Sequence, residues 1–490
     1  MRLPLLLIIL MINATALPQQ PFDLDTTFRT DLESWYVNSI LPLEDGRLIA
    51  SGRFRLPDDP VGDMRSLARI NVGGSLDQNY PSIGGSGKLI KWQDKFYAQN
   101  HHLVRRLLMN GSPDPSFILM NSGPYFSSFQ GGDYHVYPDG RVLMSGLHAL
   151  SDTIRGFTGD HCLIWFSNEG YLDTTQHHRK CWGSLDFFRE LPDGKFIGSG
   201  STSIWDGQPA SNIIRFHADG ALDTTFQAHV WWGQAYGFLP LEDGRVYAAG
   251  IFRIEGISDT LRLVRFMPDG SLDPTFNNTI KFRITEMTTQ PLGGLPRRIH
   301  PLGEDRLIIT GSFEKVEDEV RRCIVLLDTN GNVLNDHFVD AGVGNFTYQG
   351  ATGSVTSGIA PAPDGNHYIW GAYHGYNDGN TNDPQQRFIS RLYGLNVGVQ
   401  EQNKEEPQLL KVYPNPAQDQ VTFVIDPAHV TAGSKLVVRD PMGREVYVRR
   451  LRMKEDNVVW DTRGLAAGTY TATMENGTFQ GRGEKLVIDP

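Results

Sequence analysis

Two short elements recur in fixed order along most of the chain, and their recurrence restricts the possible folds more than any other property. The first is a turn followed by an apolar segment that ends near glycine: LEDGRLIASGRF from Leu43, YPDGRVLMSGLH from Tyr137, LPDGKFIGSGST from Leu191, LEDGRVYAAGIF from Leu241 and APDGNHYIWGAY from Ala362. WQDKFYAQNH from Trp92 and LGEDRLIITGSF from Leu302 are degenerate copies, which makes seven. The second element follows each of the first six: GGSLDQNY from Gly73, NGSPDPSF from Asn110, EGYLDTTQ from Glu169, DGALDTTF from Asp219, DGSLDPTF from Asp269 and NGNVLNDHF from Asn330. Its seventh copy stands at the start of the array, as FDLDTTF from Phe22.

Each Asp-Gly or Asn-Gly lies between alternating apolar segments and marks a tight hairpin turn, because glycine takes positive φ without steric cost. Two hairpins per repeat make four antiparallel strands. A four-stranded unit recurring about every 50 residues cannot cover both its faces and must stack on its neighbours. Seven such units predict an all-β fold, a seven-bladed β-propeller of four-stranded blades. The displaced copy, Phe22 to Phe28, then supplies the outer strand of the last blade, whose other strands run from about Ser354 to Asn396. Closure by both ends leaves no long unpaired edge.

Repeated polar residues have a structural explanation first. Arg69, Arg106, Arg215 and Arg265 each stand eight residues before Asp77, Asp114, Asp223 and Asp273. Arg391 holds the same place in the last repeat, with Asp25 as its displaced partner. The third repeat has Trp165 with Asp173, and the sixth has Leu327 with Asn335. Partly buried, hydrogen-bonded ion pairs are expected wherever both members are present. Phe28, Tyr80, Phe117, Phe226, Phe276 and Phe338 are expected to pack between blades.

The repeats resemble the delta-60 repeat family, whose turns are of the DGK and DGSLDxxF types, over roughly residues 20 to 397. That resemblance implies a secreted or surface propeller and carries no catalytic residues. The start of the chain is consistent with export. Met1-Arg2, the apolar run Leu3 to Ile12 and Ala14-Thr15-Ala16 make a signal peptide over 1–16. The run is too short to span a bilayer, and no later stretch approaches 18 apolar residues, so no transmembrane segment is expected.

The propeller is bounded at 17–397, and 398–408, rich in Gln, Glu and Lys, forms a linker. Residues 409–490 make a second domain, in which alternating segments with regular turns predict a small Ig-like β-sandwich. This domain resembles the type A C-terminal sorting domain of the type IX secretion system. Four motifs carry the likeness: Tyr413-Pro414-Asn415-Pro416, the Met442-Gly443-Arg444-Glu445-Val446 turn, Gly464-Leu465 with Ala467-Gly468-Thr469-Tyr470, and Lys485-Leu486-Val487-Ile488. The resemblance implies a Bacteroidetes lineage, passage through the periplasm to the surface or medium, and the type IX machinery with its sortase as partners. It also implies removal of this domain during attachment or release.

With 45 basic and 56 acidic residues the chain carries a net charge of −11 and shows no basic stripe, which argues against nucleic acid as a partner. Three cysteines, Cys162, Cys181 and Cys323, leave stability to the core. Cys162 and Cys181 are close enough in one repeat to pair, and Cys323 is expected to be a buried free thiol.

Chemistry is sought where repeats depart from one another. Trp35-Tyr36, Tyr125-Phe126, Trp182 and Trp231-Trp232, with Arg297-Arg298 and His300, stand at the start of inner strands and are expected to share one rim. Trp35, Tyr36, Trp182, Trp231, Trp232, Arg297 and Arg298 are therefore the candidate binding residues for a glycan or protein ligand. His161, Cys162, His177, His178 and Cys181 lack zinc-site spacing; a disulfide beside surface histidines is expected there, with no metal. Asn377 to Asp383 is expected to be a solvated loop rather than a calcium site. No GxSxG, HExxH or phosphate-binding glycine loop occurs. A non-catalytic surface binding or adhesion module without cofactor is the leading expectation. A polysaccharide hydrolase or lyase, and a structural envelope component, are the alternatives.

Overall fold

The computed structural model describes residues 20–395 and 410–489, apart from 58, 61–62, 82–83, 285–293, 349, 432, 442, 477–478 and 481–482. The expected signal peptide and linker, and Met442 of the sorting motif, lie outside the described residues. The chain divides into two compact units, one before and one after residue 398. Among the described residues the only helices are single 3-10 turns at Met120–Ser122 and Pro427–His429, so both units are all-β.

The first unit is a succession of seven main antiparallel sheets, with small two-residue strands such as Cys181–Trp182, Ile204–Trp205 and Gln208–Pro209 forming minor sheets between or beside them. In order the main sheets are Ser34–Pro42, Leu48–Arg55 and Arg65–Ile70; Leu89–Trp92, Lys95–Asn100 and Leu103–Leu108; and Phe126–Val136, Val142–Asp152 and Phe157–Phe166. There follow Leu185–Glu190, Phe196–Gly200 and Ile213–Phe216; Val230–Pro240, Val246–Ile254 and Leu261–Phe266; Leu295–Leu302, Arg306–Ser312 and Ile324–Asp328; and Val355–Pro361, His367–Asn377 and Asn382–Leu392. The Asp-Gly turns join first strand to second, and their glycines take positive φ, +81° at Gly46 and +83° at Gly244.

The expected fourth strand is reduced. In most repeats it touches the third strand through one bridge only, as Ile70–Leu76, Phe216–Leu222 and Phe266–Leu272 show. The aspartate that follows bends the chain away. Asp223 Oδ1 accepts the N–H of Thr225 at 3.0 Å and its hydroxyl at 2.6 Å, a side-chain turn that ends the pairing.

Apolar clusters lie between sheets rather than within them. Ile49 and Leu67 of the first sheet pack with Phe96, Ala98 and Leu107 of the second. Val37 and Leu48 of the first pack with Tyr368, Trp370 and Ile389 of the last. The displaced N-terminal copy pairs the last sheet: Leu24 bridges Leu392, Phe22 N–H and Asp25 N–H donate to the carbonyls of Tyr393 and Arg391, both at 2.9 Å, and Phe28 packs into the cluster shared by the first and last sheets. Asp378 of the polar Asn377 to Asp383 run accepts the Leu24 N–H at 2.7 Å, so that run holds the N-terminal segment.

The arginine–aspartate pairs form in all five complete repeats: Arg69–Asp77 at 2.6 Å, Arg106–Asp114 at 2.6 Å, Arg215–Asp223 at 2.8 Å, Arg265–Asp273 at 2.7 Å and Arg391–Asp25 at 2.7 Å. Four of the guanidiniums reach further, to a turn of the next sheet, donating to the carbonyls of Asn168 (2.8 Å), Pro268 (2.6 Å), Thr329 (2.6 Å) and Val72 (3.1 Å). The repeat aromatic lies under the same group, 5.0 Å away at Phe226 and 5.3 Å at Phe28. One motif thus ends the outer segment, ties neighbouring sheets and seats an aromatic ring. Burial opposes the charge on Asp114, Asp223 and Asp273, but hydrogen bonds from lysine or arginine and from the following hydroxyl residue hold all three carboxyls well below the usual range. In the sixth repeat Arg321, buried and from a different chain position, donates to Asn335.

Cys162 and Cys181 are disulfide-bonded, with Cα atoms 5.8 Å apart, and Cys323 is a buried free thiol. Two neighbouring histidines differ from expectation: His161 and His178 are 1% and 2% exposed, not at the surface. Burial, then His161, pushes the His178 imidazole down to about 4, because the ring lies beneath Phe157 and beside Trp165.

The second unit has two sheets over one core. Leu410–Tyr413, Gln420–Ile425 and Asn457–Asp461 form one. Lys435–Arg439 pairs with Glu445–Arg450 and Gly468–Asn476 in the other, and Glu484–Ile488 pairs with Gly468–Asn476. Val421, Phe423 and Val458 face Leu436, Ala472 and Leu486 in a shared cluster.

Candidate functional site

Trp231 and Trp232 begin the strand Val230–Pro240, and both stay open, 60% and 42% exposed. A bulge between Val230 and Trp232 turns the two rings out of the alternation that would otherwise bury one of them. Arg253 of the paired strand lies over both, 5.9 Å from Trp231 and 5.1 Å from Trp232. Trp231 also lines a groove of about 440 Å3 with Ile213, Leu222, Phe226, His229 and Glu255. Flat rings, a stacked cation and flanking polar groups make a surface that can hold the apolar face of a sugar and its hydroxyls together.

The other sequence candidates do not join this patch through any recorded ring contact. Trp182, 74% exposed, sits on the two-residue strand Cys181–Trp182 beside the disulfide, paired with Ile204–Trp205. Trp35 and Tyr36 lie against each other at 5.8 Å, with Arg53 over Trp35 at 4.8 Å. Phe126 is buried and packs edge-on against Phe166. Trp35 with Tyr36, Trp182, and Trp231 with Trp232 are thus each exposed or half-exposed on their own sheets.

Arg297 and Arg298 lie deeper. Most first strands carry a bulge at one level, and the extra residues are Asn38, Asp186, Tyr236, Arg297 and Ser357. Bulges re-aim side chains, and here Arg297 comes to lie 5.1 Å over Tyr236 of the preceding sheet. Arg298 reaches past Gly237, 5.8 Å over Phe187, which is itself 5.5 Å from Tyr236. A side chain at Gly237 would meet the Arg297 carbonyl oxygen at 2.5 Å, so glycine lets the backbones of the fifth and sixth sheets approach closely here.

Beside Arg297 and Arg298 stand three residues that the turn pattern did not point to, Lys88, Asp133 and Arg189, and His300, which it did. Lys88 Nζ donates to Asp133 at 2.8 Å and to the Tyr134 carbonyl at 2.8 Å. Burial pushes the Lys88 ammonium below its usual range, against the pull of Asp133, and Arg189 and Arg298 act on it in the same direction. Lys88, Arg189 and Arg298 belong to the second, fourth and sixth repeats. A signal was present: Lys88, Asp133 and Arg298 each precede the buried first-strand residue, Leu89, Tyr134 or Ile299, that opposes Ala98, Met144 or Ile309.

The sorting motifs have structural work in the second unit. Asn415 donates to the Lys485 carbonyl at 2.7 Å and accepts the Val487 N–H at 2.8 Å, so its amide pairs the last strand as a backbone would. Tyr470 is buried and donates to the Ala466 carbonyl at 2.8 Å. Gly443 takes φ +78° in the turn closed by its N–H to Asp440, and Gly468 begins the strand that pairs Ile488. Tyr413 and Pro414 remain exposed.

Residues 411–489 match the secretion system C-terminal sorting domain, and residues 191–226 and 241–276 match a β-propeller domain of unknown function. No curated protein matches the chain. Among solved structures, the extracellular domain of a hybrid two-component system from B. thetaiotaomicron is similar at 10% identity and a TM-score of 0.41, over 95% of this chain and 60% of that one. PorZ, an essential bacterial surface component of the type IX secretion system of Porphyromonas gingivalis, is similar at 12% identity and 0.27, over 93% and 81%. The WD40 domain of Neurospora crassa Pan2 is similar at 8% identity and 0.32, over 73% and 89%. This chain thus spans about 60% of the length of the first of these. Among the described residues no helix is long and apolar enough to cross a membrane.

Proposed function

For a β-propeller protein that carries a type IX secretion sorting tail and is thereby addressed to the cell surface or the medium, we propose a non-catalytic module that binds a glycan through Trp231 and Trp232. The propeller over 17–397 is a ring of seven blades, closed where Phe22 to Phe28 pairs the last sheet. The signal peptide over 1–16 brings the chain to the periplasm, and 398–408 links the ring to an Ig-like sandwich over 409–490 that the type IX machinery reads and its sortase removes. The observation that carries the binding reading is the pair of exposed indoles held under Arg253 beside a groove. Adjacent exposed aromatic rings with a cation and polar groups around them are a common form of ligand-binding surface.

A glycan panel scored for both retention and product formation tests it. Retention without turnover, weakened by Trp231→Ala at unchanged melting temperature, is the expected result. Product formation lost on changing one carboxylate would replace binding by hydrolysis or elimination. A fall in stability that parallels the fall in binding would make the rings packing elements.

A further inference from the structure

The first strands carry a second set of side chains that the tryptophan patch does not use. Among the described residues, no ion pair joins Arg189, Arg297 or Arg298 to a carboxylate. Arg298 donates to the Arg297 carbonyl at 3.2 Å, and the buried Nε of Arg297 has no acceptor. The carboxylates nearby have other partners. Asp133 takes Lys88, Asp186 accepts the Ser184 hydroxyl at 2.7 Å, and Glu190 faces His135 at 3.5 Å. Burial, then the neighbouring cations, pushes His135 down to about 4 and His300 down to about 3, so neither ring adds or removes charge near neutrality.

A protein of net charge −11 therefore gathers unpaired guanidiniums on the first strands of its fourth and sixth repeats. Arg297 and Arg298 are partly buried, where leaving a charge without a carboxylate is unfavourable, and a fold that tolerates it commonly does so for a ligand. The planar fork of arginine matches carboxylate and sulfate, and Phe187 and Tyr236 supply apolar ring faces alongside.

We propose that the space enclosed by the first strands is a binding site for an acidic saccharide, whose carboxylate or sulfate group sits among Arg189, Arg297 and Arg298. This site is independent of the tryptophan patch. Gly237 supports it, because a side chain there would push back the backbone that carries Arg297 and Arg298.

Isothermal titration of the purified full chain with trigalacturonate and a chondroitin sulfate tetrasaccharide, against maltotriose and triglutamate, tests the proposal. At least one acidic sugar is expected to bind, and maltotriose and triglutamate are not. Arg298→Gln is expected to weaken that binding at least about tenfold, and about 0.5 M salt to do the same. Removing an unpaired, partly buried charge should leave the melting temperature unchanged or raised. Arg189→Gln, at an exposed position, gives the same readout should Arg298→Gln not fold. Trp231→Ala should leave acidic-sugar binding intact. Equal binding of maltotriose, binding of triglutamate alone, or unchanged affinity in both arginine variants overturns the proposal. Loss in Trp231→Ala with the arginine variants silent also overturns it, while leaving the tryptophan reading standing.

Discussion

Phe28→Ala is the most informative single change, because the residue belongs by chain position to the start of the array and by packing to its end. Its side chain is fully buried, lies 5.3 Å from Tyr368 of the last sheet and sits under the Arg391 guanidinium. Truncating a buried phenylalanine to alanine costs about 3 to 5 kcal/mol, transfer and cavity terms together. Phe226 occupies the same motif inside the array, 6% exposed and under Arg215, and serves as the reference. Urea unfolding of both variants, followed by tryptophan fluorescence, reads the two costs on one scale. If the N-terminal copy is a full member of the array, Phe28→Ala and Phe226→Ala lower stability by similar amounts within that range. A cost below about 1 kcal/mol for Phe28→Ala, beside a full cost for Phe226→Ala, would refute the ring closure.

The depressed carboxyls set an acid limit. Because the folded-state values of Asp114, Asp223 and Asp273 lie below the ordinary 3.8, their contribution is complete above that value and is lost as pH falls through the lower folded values. Melting temperature should drop steeply below about pH 4, and less steeply in Asp223→Asn; equal pH profiles would contradict the linkage. In the sorting unit, Asn415→Ala removes two hydrogen bonds to the last strand. It should destabilise that unit by about 1 to 3 kcal/mol and reduce export while the first unit keeps its own unfolding transition.

Fold and site differ in how far the sequence reveals them, for a physical reason. Turn chemistry is local. An Asp-Gly hairpin, or an aspartate capping the threonine two residues on, is complete within a few positions, so Gly244 or Asp223 can be recognised without knowing their surroundings. The arginine–aspartate pairs were legible because a fixed spacing repeats. The shortened outer strand was not, since the capping bond that ends it lies in the same residues that look like strand. At the candidate sites, Trp231 and Trp232 stand out in the sequence with the other bulky residues near the start of first strands, Trp35, Tyr36 and Trp182, but their exposure does not. The group of Lys88, Asp133 and Arg189 draws one residue from each of several repeats and has no contiguous motif. Only the register of each first strand against its partner brings Lys88, Asp133 and Arg298 to a common level, with Arg189 two residues further along its strand. Burial was the weakest inference, as His161 and His178 show, because it depends on what the neighbouring sheet places above a side chain.

Export by the second unit, with the first unit as its cargo, is the central claim. The direct measurement is fractionation of the native host, with mass spectrometry of the exported protein's C-terminus, for the full chain and for a chain stopped at Gln402. The account predicts that the full chain appears at the surface or in the medium, shortened near the linker, and that the truncated chain folds and stays in the periplasm. Efficient export of the truncated chain, or an exported form that always retains Pro490, would contradict it.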